Sequence, residues 1–164
     1  MIQVERADIN PDESFTGFPV WLSDSFLLMT NVYDFHDEGY VLLRVPDITE
    51  VTAKESDFYE NICVKEGLRE RVSACFVKET NMYFEALQQF LQYPGYISIH
   101  CENENELPQY LLGRIVSSEE TGVKFASLGC DGEWNPELDF IAYDKITMLA
   151  WEDYYAKMYY RYCK

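Results

Sequence analysis

Basic residues, long apolar runs and closely spaced cysteine pairs are scarce or missing in this chain. Thirteen lysines and arginines stand against twenty-nine aspartates and glutamates, which gives a formal net charge of −16 over 164 residues. A field of this sign repels nucleic-acid phosphates and anionic lipid headgroups, so nucleic-acid binding is disfavoured. The chain has no run of eighteen apolar residues. We therefore expect no membrane-spanning segment.

The five cysteines are widely scattered, and no Cys-x-x-Cys pair occurs. This pattern argues against a structural zinc site. The first fourteen residues carry acids where a secretory signal needs a basic and then an apolar segment. We therefore expect a cytoplasmic protein whose thiols are reduced.

Motifs that carry chemistry are also missing. The chain has no glycine-rich phosphate loop, no nucleophile elbow and no His-Glu-x-x-His motif. Its two histidines are His36, in a polar turn, and His100, for which a hydrogen-bonded structural role is favoured. Adjacent strand residues point to opposite faces, so His100, Cys101 and Glu102 do not predict a metal site. We expect no enzyme activity, no cofactor and no metal. A hydrolase that uses carboxylates and a divalent ion stays open as an alternative, beside the two binding functions considered below.

Apolar residues are plentiful, and they favour a folded protein. Hydrophobic residues make up 48% of the chain and aromatic residues 16%, enough for a core despite the charge. The acids are unevenly distributed, because residues 1–43 and residues 94–140 each carry a net charge of −7. The field of these acids would speed the encounter with a cationic partner. An equally good explanation of the acidity is that it keeps the chain soluble.

Two segments follow one plan. Residues 34–51 and residues 129–149 each run from an acidic turn with a glycine, through an apolar strand, to an Ile-Thr pair. These pairs are Ile48-Thr49 and Ile146-Thr147, and a helical segment rich in tyrosine follows each of them. Such self-similarity predicts two equivalent supersecondary units.

Hydrophobic patterning predicts short strands in both halves and helices between and after them. A hairpin turn is predicted at residues 23–25, and so many short strands favour closure into small barrels. The predicted division is a first unit at 1–66, a helical connector at 67–93 and a second unit at 94–164. Strands are predicted at residues 18–22, 26–32, 39–45, 48–52, 96–101, 110–116, 123–128, 140–143 and 147–149, and helices at 56–66, 67–80, 81–92 and 152–162.

The motifs resemble those of a group of poorly characterised bacterial proteins. The matching elements are Asp34 to Val51, Ile99 to Glu102, Leu112 to Ile115, Asp131 to Trp134, Ile146-Thr147 and Tyr155 to Tyr162. The resemblance implies an α+β, β-rich fold with two small Sm-like or SH3-like antiparallel barrels and packing helices. In its size and acidity the chain is also similar to immunity proteins of bacterial toxin systems, including contact-dependent inhibition.

The acidic loops of the second half are the predicted partner-binding surface. Trp134 beside Glu133 is typical of interface centres, although packing into a barrel mouth is the slightly favoured explanation of this tryptophan. Such a surface would suit a cationic nuclease toxin, because carboxylates can imitate the phosphates that its groove binds. The alternative is an Sm-like regulator that binds RNA or a ligand, although the Arg-Gly pair typical of Sm proteins that bind RNA is absent. The predicted residues are Glu102, Glu104, Glu106, Glu119, Glu120, Asp131, Glu133 and Trp134.

Overall fold

The computed structural model describes residues 1–54, 57–103 and 110–163. Four α-helices lie in the described ranges: α1 (Asp57–Lys65), α2 (Arg71–Ala74), α3 (Tyr83–Gln88) and α4 (Tyr154–Tyr162). Short 3-10 turns span Val45–Asp47, Leu68–Glu70 and Tyr143–Lys145. The strands are β1 (Ile2–Glu5), β2 (Ser14–Gly17), β3 (Pro19–Leu22), β4 (Phe26–Tyr33), β5 (His36–Arg44), β6 (Glu50–Ala53), β7 (Ile97–His100), β8 (Tyr110–Ser118), β9 (Gly122–Leu128), β10 (Asp139–Ala142) and β11 (Met148–Trp151).

The strands form two antiparallel sheets. A small sheet has the order β2-β1-β6, and a large sheet of eight strands has the order β10-β9-β8-β7-β11-β5-β4-β3. The predicted α+β, strand-rich class is confirmed. The two predicted barrels are not confirmed, because neither sheet closes on itself within the described ranges. Instead, β11 of the second half pairs with β5 of the first half, which joins both halves in one open sheet.

The two repeated segments adopt the same local structure. The turn Val45–Asp47 connects β5 to β6, and the turn Tyr143–Lys145 connects β10 to β11. After each turn a threonine amide donates to the strand that begins its half: Thr49 to the carbonyl of Glu5 at 2.9 Å, and Thr147 to that of His100 at 2.8 Å. Both threonine hydroxyls donate to the same carbonyls at 3.1 Å. The structural likeness of the segments is confirmed, while the domain boundaries stay a prediction.

Two glycines occupy equivalent places where strands approach closely. A Cβ atom on Gly17 would lie 1.8 Å from the carbonyl oxygen of Thr30, and one on Gly113 would lie 1.9 Å from that of Ala126. At Gly17 the chain leaves the small sheet and enters the large one at Pro19. A bulge or bend was predicted at Gly113, but the register shift between β8 and β9 falls later, between Ile115 and Ser117.

The two faces of the large sheet are covered differently. One face, with Leu42, Ile99 and Phe125, packs against Leu87 and against the residues that follow α3, and forms the main core. On the other face, the small sheet packs on one part through Val4 and Phe15. Helix α4 packs on another part of this face through Ala156. A cleft remains between these two covers.

Several predicted elements differ from those observed. Strand β1 was not predicted, since four residues with a terminal acid give little periodicity. Residues 67–80 were predicted to be helical, but the helix ends at Ala74. Beyond it the chain is not helical, and the carbonyl of Val77 accepts a hydrogen bond from the Trp21 indole of β3 at 2.9 Å. The hairpin turn at residues 23–25 is confirmed. None of the described helices has the length and apolar character needed to cross a bilayer.

Candidate functional site

The cleft on the large sheet has a volume of about 520 Å³. Val41, Met148 and Ala150 of β5 and β11 form its floor, at the junction of the two halves. Phe15 of the small sheet lies on one side and Tyr155 of α4 on the other. Polar side chains complete the lining: Glu13, Asn31, Glu38, Ser98, His100, Tyr110 and Asp153.

Three carboxylates lie at the cleft, and the fold holds each of them in place. Glu13 accepts a hydrogen bond from Arg6 at 2.6 Å, and Glu38 accepts one from the amide of Tyr154 at 3.2 Å. Asp153 is the N-cap of α4 and accepts from the amide of Ala156 at 2.7 Å. Each of these contacts uses one oxygen of its carboxylate. Because the described lining residues include no lysine or arginine, the cleft is negatively charged.

Burial shifts the pKa of two groups in the cleft. It raises the pKa of the Asp153 carboxyl, although the hydrogen bond from Ala156 acts in the opposite direction. A nearby cation would therefore favour the ionised form of Asp153. Burial also lowers the pKa of His100 to about 4, against the opposing effect of Glu102. The His100 imidazole, edge-to-face with the Tyr110 ring at 5.0 Å, is thus neutral at pH 7 and adds no positive charge.

A buried ion pair lies next to the cleft. The side chain of Arg6 is fully buried and donates to both carboxylate oxygens of Glu102, at 2.8 and 3.0 Å. Thr147 donates to the same carboxylate at 2.6 Å. Burial by itself would raise the pKa of Glu102, but the hydrogen bonds from Arg6 and Thr147 outweigh it and lower the pKa. The pair links the segment after β1 to the segment after β7.

Glu102 was predicted to lie on an exposed acidic edge, and the structure places it differently. Its side chain is only 14% exposed, and both of its oxygens are hydrogen bonded. A buried arginine at position 6 requires such a partner, since an unpaired buried charge is costly. Two further residues of the predicted edge, Glu104 and Glu106, lie outside the described residues.

The other predicted acids do not form one patch. Glu119 pairs with Lys124 at 2.7 Å, and Glu120 is exposed at the tip of the hairpin between β8 and β9. Asp131 and Glu133 are exposed in the loop that follows β9. Strand β9 separates these two places, and its seven residues span about 20 Å.

Trp134 is half-buried and packs at the edge of the fold. It forms an isolated bridge with Leu128, and its ring meets the Tyr96 ring at 5.5 Å in an edge-to-face contact. The guanidinium of Arg114 lies 5.8 Å from its ring centre. The predicted packing into a barrel mouth is therefore not confirmed, since this ring packs on Tyr96 and beside Leu128 of an open sheet.

Sequence patterns missed most of the cleft. Glu38 belongs to the acidic turn of the first repeated segment, for which no role was predicted, and neighbouring Asp37 pairs with Arg71 and Lys157, each at 3.4 Å. Within the described ranges, no three histidine, cysteine, aspartate or glutamate side chains converge on a point that would hold a metal. A local signal that could have located one cleft residue is the position of Asp153 directly before α4, which is that of a helix cap.

No family model, curated protein or solved structure matches the chain. The fold and the cleft define it as a strand-rich α+β protein with a carboxylate-lined cleft where its two halves meet.

Proposed function

We propose that this chain is a non-catalytic binding protein whose cleft receives a positively charged segment of a partner protein. The observation that carries the proposal is the convergence of Glu13, Glu38 and Asp153 on one cleft. Because the fold already holds these carboxylates in place, little side-chain entropy is lost when a cation docks between them.

The cleft offers both charge and aromatic surface to a lysine or arginine. Tyr110 and Tyr155 are exposed at its rim, and an aromatic face attracts a cation with roughly 0.5–1 kcal/mol at an exposed site. The apolar floor suits the methylene stem of such a side chain. At longer range, the net charge of −16 steers a cationic partner toward the chain.

The partner that we propose is a bacterial nuclease toxin, and the chain is then its immunity protein, acting in the cytoplasm. A nuclease binds phosphates in a basic groove, and a cluster of carboxylates can occupy that groove in their place. The two equivalent halves are proposed to derive from one Sm-like or SH3-like plan, with residues 67–93 as their connector. The resemblance in size and acidity to immunity proteins of contact-dependent inhibition supports this view.

The test measures binding of the chain to purified cationic nuclease domains by calorimetry. We expect affinity to fall at least about tenfold when salt rises from about 50 to about 300 mM, since exposed charge pairs are screened. Glu38→Gln and Glu13→Gln should each weaken binding about threefold to tenfold, because each removes one charge while retaining a hydrogen-bond acceptor.

The matched control is Glu79→Gln, at an exposed position in the segment that covers the other face of the large sheet. This variant should bind like the unchanged chain. Binding that is insensitive to salt and to both cleft variants, or no binding to any cationic nuclease, would contradict the proposal. An RNA-binding Sm-like regulator instead predicts a ring-shaped oligomer and measurable RNA affinity, which gel filtration and filter binding detect.

A further inference from the structure

A second pocket, of about 770 Å³, lies between α4, β8 and the loop after β9. Its lining contrasts with the rest of the molecule, because three cations and three aromatic rings meet there in a chain of net charge −16. Among the described residues no carboxylate side chain lines it. We call it the aromatic-cation pocket, and its side chains are Tyr96, Arg114, Trp134, Lys157, Tyr160, Arg161 and Cys163.

Arg114 lies among the rings. Its guanidinium carbon is 5.0 Å from the ring centre of Tyr96, 5.8 Å from that of Trp134 and 5.9 Å from that of Tyr160. The Tyr96 ring is nearly perpendicular to both other rings, at 89° and 84°. Arg114 is exposed, so an anion can reach its guanidinium between the rings.

The fold builds this pocket from four separate elements. Tyr96 precedes β7, Arg114 lies in β8, Trp134 follows β9 and Tyr160 lies in α4. The hydroxyl of Tyr96 donates to the carbonyl of Cys163 at 2.7 Å and so ties the end of α4 to the sheet. The rings are therefore positioned before any ligand arrives, which reduces the ordering cost of binding.

The cations of the pocket have unused hydrogen-bonding capacity. Within the described ranges the side chains of Arg114 and Arg161 make no hydrogen bond or ion pair with other residues. The Lys157 ammonium lies 3.4 Å from a carboxylate oxygen of Asp37. Two guanidinium groups and an ammonium thus face one space with most of their donors available, an arrangement that suits a multiply charged oxyanion.

We propose that the aromatic-cation pocket binds a phosphate monoester attached to a planar ring, of the size of a mononucleotide. A phosphate monoester carries about −1.5 to −2 charges at pH 7, which matches several cations better than a carboxylate does. Trp134 and Tyr160 offer ring surface on which a base stacks, with roughly 1–3 kcal/mol per stacked base. Pockets for small ligands typically have volumes of about 300–1,000 Å³, and this one lies within that range.

The acidity of the chain does not forbid such a ligand. Charges separated by more than about 8 Å in solvent are largely screened at physiological ionic strength, so groups that line the pocket dominate its local field. The proposal is independent of the proposed function, since none of its side chains lines the acidic cleft. Its failure would leave the toxin proposal in place, and the reverse also holds.

The test titrates the chain with adenosine 5′-monophosphate, with adenosine and with inorganic phosphate, by calorimetry and tryptophan fluorescence. We expect the monophosphate to bind at least about tenfold more tightly than adenosine or phosphate, because only it fills both parts of the pocket. Trp134 lines the pocket, whereas Trp21 and Trp151 do not. Trp134→Phe should therefore abolish most of the fluorescence change while the heat of binding persists.

Charge-removing variants locate the site. Arg114→Gln should weaken binding of the monophosphate at least about tenfold, and Arg161→Gln, at an exposed position that leaves the fold intact, about fivefold. The matched control is Lys124→Gln, which removes an exposed cation outside the pocket and should bind normally. The proposal is overturned if the monophosphate does not bind, if phosphate alone binds equally well, or if Arg161→Gln and Arg114→Gln bind like the unchanged chain.

Discussion

Glu102 shows how one side chain acquires its role from its neighbours. In the sequence it begins an acidic stretch, and nothing local distinguishes it from the acids that follow. In the fold it receives two hydrogen bonds from a fully buried Arg6 and one from Thr147. Removing one member of such a buried pair typically costs about 3–5 kcal/mol, because the other charge is left without a partner. Glu102 therefore stabilises the fold and is a poor position for testing partner binding.

His100, beside this pair, makes stability depend on pH. Its pKa is about 4 in the folded chain, below the ordinary value of 6.5, so the unfolded chain binds the extra proton first as the pH falls. The stabilisation that neutral His100 provides is present above pH 6.5 and is lost on acidification toward pH 4. We expect His100 to lower the free energy of unfolding by about 2 kcal/mol between about pH 7 and about pH 5. The variant His100→Gln should lack this contribution to the pH dependence.

Urea unfolding of the unchanged chain and of His100→Gln at both pH values measures this effect. The control is His36→Gln, because His36 is exposed at the start of β5. The control should retain the full pH dependence. If the unfolding free energy falls equally with pH in the unchanged chain and in His100→Gln, His100 is not the source of the pH dependence.

At the scale of elements, each half repeats a strand, a 3-10 turn, a short strand and a helix. The turns before Ile48 and Ile146 both end in extended backbone, with φ of −79° and −74° at these two residues. The Ile-Thr pairs made this repeat recognisable in the sequence. In the fold, their threonines form equivalent hydrogen bonds in both halves. Of the two strands that these threonines contact, β7 was predicted at residues 96–101, whereas β1 was not predicted.

The equivalent glycines give a prediction about these elements. In Gly113→Ala and in Gly17→Ala the new methyl group would meet a backbone carbonyl oxygen at less than 2 Å, at 1.9 and 1.8 Å. Neighbouring strands would have to move apart, and we expect a loss of about 1–3 kcal/mol or more in unfolding free energy for each variant. Thermal and urea unfolding measure it.

Gly129→Ala is the matched control for both variants. The nearest atom to its new methyl group belongs to the Asp131 side chain, which can rotate away. We expect this change to cost clearly less than the other two. Equal stability of all three variants would show that the strands tolerate separation at Gly113 and Gly17.

At the scale of the whole molecule, β11 holds the two halves together. It pairs with β7 of its own half and with β5 of the other half. Trp151, at its end, is fully buried and stacks on Tyr40 of β5 with ring centres 5.3 Å apart. The Phe90 ring of the connector meets the same indole edge-on at 5.0 Å. One side chain thus belongs to the core of both halves and of the segment between them.

This shared core predicts that the halves unfold together. Trp151→Ala should lower the unfolding free energy by about 3–5 kcal/mol, since it leaves a large cavity. Hydrogen exchange measured by mass spectrometry should show the same loss of protection in β4 and in β9. Leu22→Ala, at an exposed position, serves as the control and should change stability by less than about 0.5 kcal/mol. A loss confined to one half would indicate that the halves unfold independently.

Local patterns determined the strand-rich character of the protein, its two equivalent segments, the hairpin at residues 23–25 and the helix before the C-terminus. These features depend on residues close together in the chain, through alternation, turn chemistry and capping. The pairing of β11 with β5, the burial of Arg6 against Glu102 and both pockets depend on contacts between residues that are far apart in the chain. Only the tertiary structure decided them, because an acid, an arginine or a tryptophan has the same local pattern whether it is solvated or paired, and its partner is chosen when the sheet assembles.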